Sequence, residues 1–153
     1  MRRLLFYLLR WMAWPFARRF RNALENPKQA QGDVLAAITL ELSQTDYGRH
    51  LGVVTTEDFR NKVPVVDYDD LSEWIEKQKK SESGALISTQ VLFYEKTSGS
   101  TGPAKYIPYT KALRASFTRM FLVWAHDVVA RGPGIGQGRL YFSVSPSFAG
   151  GSP

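Results

Sequence analysis

The sequence of 153 residues contains no cysteine and only two histidines, His50 and His126. The lack of cysteine excludes disulfides, zinc–thiolate sites, iron–sulfur clusters and a cysteine nucleophile. Two isolated histidines argue against a histidine-built metal site, so we predict no metal held by protein ligands alone. No pair of carboxylates and no Ser, His and Asp set has a spacing that indicates acid/base or triad chemistry. We therefore assign no catalytic side chain.

Acidic residues are missing from the start of the chain, where the first is Glu25. Six of the 20 basic residues precede it, and without them Lys and Arg number 14, equal to the 14 acidic residues. The net charge of +6 therefore belongs to an N-terminal arm on a neutral body, and we predict no nucleic-acid partner. With 44% hydrophobic and 22% charged residues the composition is that of a globular chain, which excludes disorder as the main state.

The arm is predicted to be a basic, aromatic helix over residues 1–25. Arg10 and Pro15 interrupt its apolar stretch and argue against a membrane-spanning helix. Two interpretations remain open: an interfacial helix on an anionic membrane, and a helix packed on its own protein with arginines reaching outward. At about 100° per residue, basic and apolar residues fall on roughly opposite sides: Arg3, Arg10 and Arg21 against Leu5, Leu9, Met12 and Phe16.

The leading half of the body carries helical signals. Apolar residues at Val34, Leu35, Ile38 and Leu42 predict a helix whose end is marked by Asp46-Tyr47-Gly48. The Thr55-x-x-Asp58 spacing is typical of a capping box and predicts a second, short helix. A third helix is predicted from Leu71 to about Lys80, capped by Asp69 or Asp70, with its lysines on a solvated face.

The second half changes to strand and loop. Val91 to Tyr94 predicts a short strand, and Tyr106 to Tyr109 predicts a second extended piece after a loop rich in Thr, Ser and Gly. Thr110 is predicted to cap a long helix that ends at Gly132, and a further strand is expected from about Leu140 to Val144. Alternation of strand, loop, helix and strand predicts an α/β fold.

The loop itself, Thr97 to Lys105, is the segment with the clearest chemistry. Glycines allow the backbone to approach an anion closely, and Ser and Thr hydroxyls can donate hydrogen bonds to it. Lys105 adds a cation suited to phosphate. The spacing does not match a Walker-type loop, because Lys105 is followed by an extended segment. On composition alone, an ordinary solvated loop of a hairpin remains an alternative.

The order Thr-Ser-Gly-Ser-Thr-Gly followed by Lys105 resembles the phosphate-binding signature of the acyl-adenylate-forming enzymes. Two segments before the loop make the resemblance more specific, namely Asp46-Tyr47-Gly48-Arg49 and Phe59 to Leu71. With them the sequence resembles the Gretchen Hagen family of auxin-responsive proteins, the acyl-acid amido synthetases. The resemblance runs from about residue 38 to the end and includes the Gly136-Gln137-Gly138 turn.

This resemblance implies that residues 26–153 are a partial N-terminal domain, a fragment of the large α/β domain of a cytoplasmic ligase. The basic, aromatic helix predicted over residues 1–25 precedes it. The implied reaction uses ATP and Mg²⁺ to activate a carboxylic acid as its acyl-adenylate, which an amine or amino acid then attacks. An acyl-CoA ligase, or a non-catalytic fragment at a membrane surface, are the alternatives.

The resemblance also implies roles for individual residues. Four side chains would hold the ATP phosphates, namely Ser98, Ser100, Thr101 and Lys105, while Thr97, Gly99 and Gly102 would shape the turn. Three aromatics of the long helix would line the acyl pocket, namely Phe117, Phe121 and Trp124, for which core packing is the alternative.

The sequence departs from the plant members in two ways. Their loop is one residue longer before the lysine, so the loop of this chain is more similar to those of general adenylate-forming enzymes and of bacterial relatives. The later motifs for adenine and ribose and the C-terminal domain have no counterpart before Pro153. We therefore expect the chain alone to bind ATP weakly and to aggregate, because a sheet cut early leaves an open edge.

Overall fold

The computed structural model describes residues 2–80, 84–97, 104–132 and 141. Helices fill the first half, two strands follow, and a long helix comes after them. This order confirms the α/β arrangement expected of such an N-terminal fragment; the strand predicted from Leu140 to Val144 lies, apart from Tyr141, outside the described residues. The elements are α1 (Arg2–Glu25), α2 (Pro27–Ser43), α3 (Asp46–Leu51), α4 (Thr56–Lys62), α5 (Ser72–Lys80), β1 (Val91–Lys96), β2 (Tyr106–Thr110) and α6 (Lys111–Arg131).

Helix α1 packs along α6, the helix at the other end of the described chain. Ala13 and Ala17, one turn apart, are buried in this contact, and Phe6, Leu9 and Phe16 are half-buried on the same side. Small side chains at this spacing let two helices approach closely. The helix continues through Pro15 to Glu25. Of the helices that the structure describes, none has the length and apolar content needed to cross a bilayer.

The end of α2 differs from the prediction. The helix stops at Ser43, and Asp46-Tyr47-Gly48 begins α3 instead of closing α2. The reason is Thr45, whose hydroxyl accepts a hydrogen bond from the Gly48 N–H at 3.0 Å and so caps a new helix. Gly48 also lies against the backbone of Leu42, where a side chain would overlap the Leu42 carbonyl.

The capping box predicted for α4 is confirmed. The Thr55 hydroxyl accepts the Asp58 N–H at 3.1 Å, and the Asp58 carboxylate accepts the Thr55 N–H at 2.9 Å. Lys62 donates to the same carboxylate at 2.6 Å, and together these donors hold the pKa of Asp58 well below its usual range.

The aspartates before α5 form a turn instead of capping the helix. The Asp67 carboxylate accepts N–H groups from Asp69 and Asp70, at 2.8 and 3.0 Å. The Asp70 carboxylate in turn accepts the Asp67 N–H at 2.9 Å. Asp70 is therefore engaged with the turn, and α5 begins at Ser72. The predicted helix from Leu71 to Lys80 is confirmed to within one residue.

The segment 84–87 joins α3, α5 and the sheet. The side-chain oxygen of buried Gln78 accepts two N–H groups of this segment, at 2.8 and 3.0 Å. The N–H groups of Asp46 and Tyr47 donate to its carbonyls at 2.7 and 3.0 Å. These bonds fix the start of α3 and the last turns of α5 to the chain that enters β1.

The two strands form an antiparallel pair, with Phe93 opposite Tyr109 and Lys96 opposite Tyr106. Strand β2 leads directly into α6, because Thr110 ends the strand and its hydroxyl accepts the Leu113 N–H at 3.1 Å. The predicted cap at Thr110 and helix end at Gly132 are both confirmed. The sheet thus holds the two ends of the Thr97 to Lys105 loop side by side.

Candidate functional site

Two hydrogen bonds join the two ends of the loop, Thr97 and Lys105, which we call the neck of the loop. The Thr97 N–H donates to the Lys105 carbonyl at 2.9 Å, and the Lys105 N–H donates to the Thr97 hydroxyl oxygen at 3.0 Å. Thr97 therefore shapes the neck through its side chain. The other predicted loop residues lie outside the described residues, namely Ser98, Ser100 and Thr101, predicted to hold phosphate, and Gly99 and Gly102, predicted to shape the turn.

The Lys105 side chain is exposed and lies over an aromatic ring. Its ammonium nitrogen is 5.1 Å from the centroid of the Tyr68 ring, a cation–π distance. The Tyr68 hydroxyl accepts the N–H of Tyr106, the residue after Lys105, at 2.8 Å. Tyr68 therefore fixes the backbone next to Lys105 through its hydroxyl and contacts the Lys105 ammonium through its ring.

A second lysine lies on the neighbouring tyrosine. The ammonium of Lys79 is 4.4 Å from the centroid of the Tyr106 ring and 2.8 Å from a Glu76 carboxylate oxygen. The Glu76 hydrogen bond raises the pKa of Lys79, which keeps this group charged. Nearby, burial raises the pKa of Tyr94, so its phenol stays neutral. Two lysine side chains, Lys79 and Lys105, thus lie close to the start of β2.

An aromatic row leads from the sheet onto α6. The Phe93 and Tyr109 rings are stacked with centroids 4.7 Å apart, and Tyr109 is parallel to Phe117 at 6.1 Å. Further along α6, Phe121 and Trp124 are in contact at 5.5 Å. The three residues proposed for the acyl pocket are 43–57% exposed, so the described part of the chain does not bury them as a core.

Sequence reasoning misses Tyr68, Lys79, Phe93 and Tyr109 as members of this region. Tyr68 lies within a quoted motif, but no local signal links it to a backbone group 38 residues later. The sequence predicts a solvated face for Lys79, and its position over a tyrosine depends on how α5 meets β2. Among the residues that the structure covers, no cluster of three or more His, Asp or Glu side chains is suited to a metal ion.

Comparison with known proteins identifies the family. The family model of the GH3 family N-terminal domain matches residues 16–148, most of the chain. The chain belongs to the GH3 family. It is 34% identical over 110 residues to the indole-3-acetic acid-amido synthetase GH3.15 of Arabidopsis thaliana, an alignment of 66% of this chain and 18% of that protein. It is 30% identical over 129 residues to the indole-3-acetic acid-amido synthetase GH3.17 of the same plant, an alignment of 79% of this chain and 21% of that protein.

This GH3 chain spans about a fifth of the length of the curated relatives that it matches. No solved structure shows a significant match to it. The matched region includes α2 to α6, the sheet and the loop, so the site described above lies inside the shared domain.

Proposed function

We propose that the chain forms part of a cytoplasmic acyl-acid amido ligase that works through an acyl-adenylate. The observation that carries this proposal is the hydrogen-bonded neck of the loop, where the exposed Lys105 side chain lies over the Tyr68 ring. The exposed aromatic face of α6 continues from the same strand, which suits a bound acid next to a bound nucleotide. The relatives' names, indole-3-acetic acid-amido synthetases, support the same class of reaction.

The first step joins the acid to ATP. A carboxylate oxygen bonds to the α-phosphorus, the bond from that phosphorus to the bridging oxygen breaks, and pyrophosphate leaves. In the second step an amine attacks the acyl carbon, AMP leaves with the electron pair of the broken C–O bond, and the amine loses one proton. The products are an amide, AMP and pyrophosphate, so the atoms and charges balance.

The neck suits the first step because negative charge develops on the leaving pyrophosphate. A lysine at the end of a hydroxyl-rich loop supplies a preorganised cation, and such electrostatic stabilisation is often the largest contribution to rate. We assign this role to Lys105, with hydroxyl donors from Ser98, Ser100 and Thr101 as the sequence order implies. Mg²⁺ would arrive on the phosphate oxygens of the nucleotide and reduce their charge further.

The aromatic face suits the acid. Phe117, Phe121 and Trp124 present half-exposed rings that can stack on a planar or apolar acid. We therefore propose a carboxylic acid with an aromatic or apolar body as the substrate, and an amine or amino acid as the acceptor.

Pyrophosphate exchange tests the proposal directly. The native polypeptide that carries this sequence, at its full length, is incubated with ATP, labelled pyrophosphate and a panel of acids that includes indole-3-acetic acid. We expect acid-dependent exchange, lowered about 100-fold in Lys105→Ala, the scale found when one transition-state donor is removed. Lys111→Ala, an exposed lysine on α6, is the matched control and should exchange normally. Absence of exchange with every acid would refute the adenylation step.

Product analysis separates the amido ligase from an acyl-CoA ligase. Mass spectrometry of reactions that contain either an amino acid mixture or coenzyme A should detect an amide in the first. If the only product is a thioester, formed in the reaction with coenzyme A, the proposed adenylation step stands but the acceptor is coenzyme A and not an amine.

A further inference from the structure

Helix α1 has two apolar sides, and α6 covers only one of them. The inner side holds Ala13 and Ala17, which are buried against α6. On the outer side, large apolar side chains follow one another at spacings of three, four and seven residues, which places them on one face of the helix. We call these the outer arc: Leu4, Leu5, Leu8, Trp11 and Met12, with exposed fractions from 51% to 75%.

An arc of this size is unusual on a surface. Contiguous exposed apolar residues generally mark a binding site, whereas scattered ones need no explanation. The arc lies ahead of the region that matches the shared family domain, because that match begins at residue 16. Its five side chains therefore belong to a segment outside the matched family domain.

Charge indicates the partner. The arc is followed on the same helix by exposed Arg18 and Arg19, and no acidic side chain precedes Glu25. Arg18 lies over the Trp14 ring at 5.3 Å from its centroid. Tryptophan next to arginine, flanking an apolar face, is the pattern of helices that lie in the headgroup region of a membrane.

We propose that the outer arc binds the surface of an anionic lipid bilayer while α1 stays packed on α6. Leu4, Leu8 and Trp11 enter the boundary between headgroups and acyl chains, and Arg18 and Arg19 contact anionic headgroups. This binding would hold the GH3 domain at a membrane surface and does not depend on whether the proposed ligase reaction is correct.

Vesicle binding tests the arc. The full-length native polypeptide is sedimented with vesicles of about 30% phosphatidylserine in phosphatidylcholine, and with pure phosphatidylcholine. We expect binding to the anionic vesicles and at least tenfold weaker binding for the triple variant Leu4→Gln, Leu8→Gln, Trp11→Gln. The matched control is Val54→Gln with Val65→Gln, two exposed apolar side chains elsewhere, which should bind as the parent does. Circular dichroism of each variant verifies folding.

The arginines are tested separately, because they act through charge. Arg18→Gln with Arg19→Gln should weaken binding to anionic vesicles about 30-fold at low salt, which corresponds to about 1 kcal/mol for each arginine. Arg60→Gln, an exposed arginine of α4, should have little effect. High salt should weaken binding by the parent protein and should have less effect on the arginine variant.

Three outcomes would overturn the proposal. The first is that the folded parent does not sediment with anionic vesicles. The second is that the arc variant binds as strongly as the parent. The third is that the parent does not bind vesicles and is a dimer by light scattering, whereas the arc variant is a monomer. That result would assign the arc to contact with a second copy of the chain.

Discussion

The phenol oxygen of Tyr68 accepts a hydrogen bond from the backbone N–H of Tyr106 at 2.8 Å, although the two residues are 38 positions apart in sequence. This bond ties the turn before α5 to the first residue of β2. It also places the Tyr68 ring beneath the Lys105 ammonium. The helical half and the loop neck are therefore mechanically linked at one side chain.

Tyr68→Phe should weaken this link while keeping the ring. The Tyr106 N–H is part-buried and would lose its acceptor, which costs about 1–3 kcal/mol. Hydrogen exchange should rise at the start of β2, and the midpoint of thermal unfolding should fall. Tyr141→Phe, at a 90% exposed tyrosine, is the control and should leave both unchanged. Equal exchange in parent and Tyr68→Phe would contradict the link.

Two glycines should respond to alanine in opposite directions. Gly32 lies within α2, and open space surrounds the position that a methyl group would take there, so Gly32→Ala should stabilise by about 0.5–1 kcal/mol. Gly48→Ala would push a methyl group into the Leu42 carbonyl and should destabilise by about 1–3 kcal/mol. A Gly48→Ala midpoint equal to or above that of the parent would contradict the close contact between α2 and α3, and a Gly32→Ala midpoint below the parent would contradict the open space at Gly32.

The capping box of α4 predicts a local effect. Thr55→Ala removes the oxygen that accepts the Asp58 N–H, at a cost of about 1 kcal/mol. Thr55→Ser keeps that oxygen and should behave as the parent does. Amide exchange in the first turn of α4 reports the difference, and identical exchange in the two variants would argue against the cap.

His126 should make the contact between α1 and α6 sensitive to acid. Burial has the largest effect in lowering the pKa of His126, and the positive charges of Arg10 and Arg21 on α1 lower it further. Asp127 opposes this effect and Arg131 adds to it. Because the folded pKa lies below the unfolded value of about 6.5, the unfolded chain binds the proton more readily as pH falls. Stability should therefore be complete above the unfolded pKa and decrease as pH falls below it.

The measurement is the unfolding free energy between about pH 7.5 and 5, compared with His126→Gln. Glutamine cannot take up the proton, so the variant should lose less stability over this range than the parent. Parallel curves for the two proteins would exclude His126 as the source of the acid sensitivity.

Features that depend on neighbouring residues could be predicted from the sequence. The caps at Thr55 and Thr110 each join groups three residues apart, so spacing alone carries the signal. The family resemblance, confirmed by comparison, also rests on short ordered motifs. The cap at Thr45 escapes prediction because Gly48, which signals a helix end in the sequence, lies inside the helix that Thr45 begins.

Features that depend on packing could not be predicted in the same way. The apolar residues of α2 predict the helix correctly, but Val34 and Ile38 remain exposed and Thr39 is the buried residue. For α1 the sequence leaves two interpretations open, and Ala13 and Ala17 against α6 support packing on the protein for one side only. Which side a helix buries depends on partners far away in sequence.

The hydrogen bonds between Thr97 and Lys105 have a consequence for affinity. Bringing two distant points of a flexible chain together costs conformational entropy, and a ligand that has to close a loop loses that amount from its binding free energy. Here the pairing of β1 with β2 has already joined the ends, on either side of seven intervening residues. Under the phosphate-binding role proposed for this loop, an anion would find the loop ends already joined, so more of its interaction energy would appear as affinity.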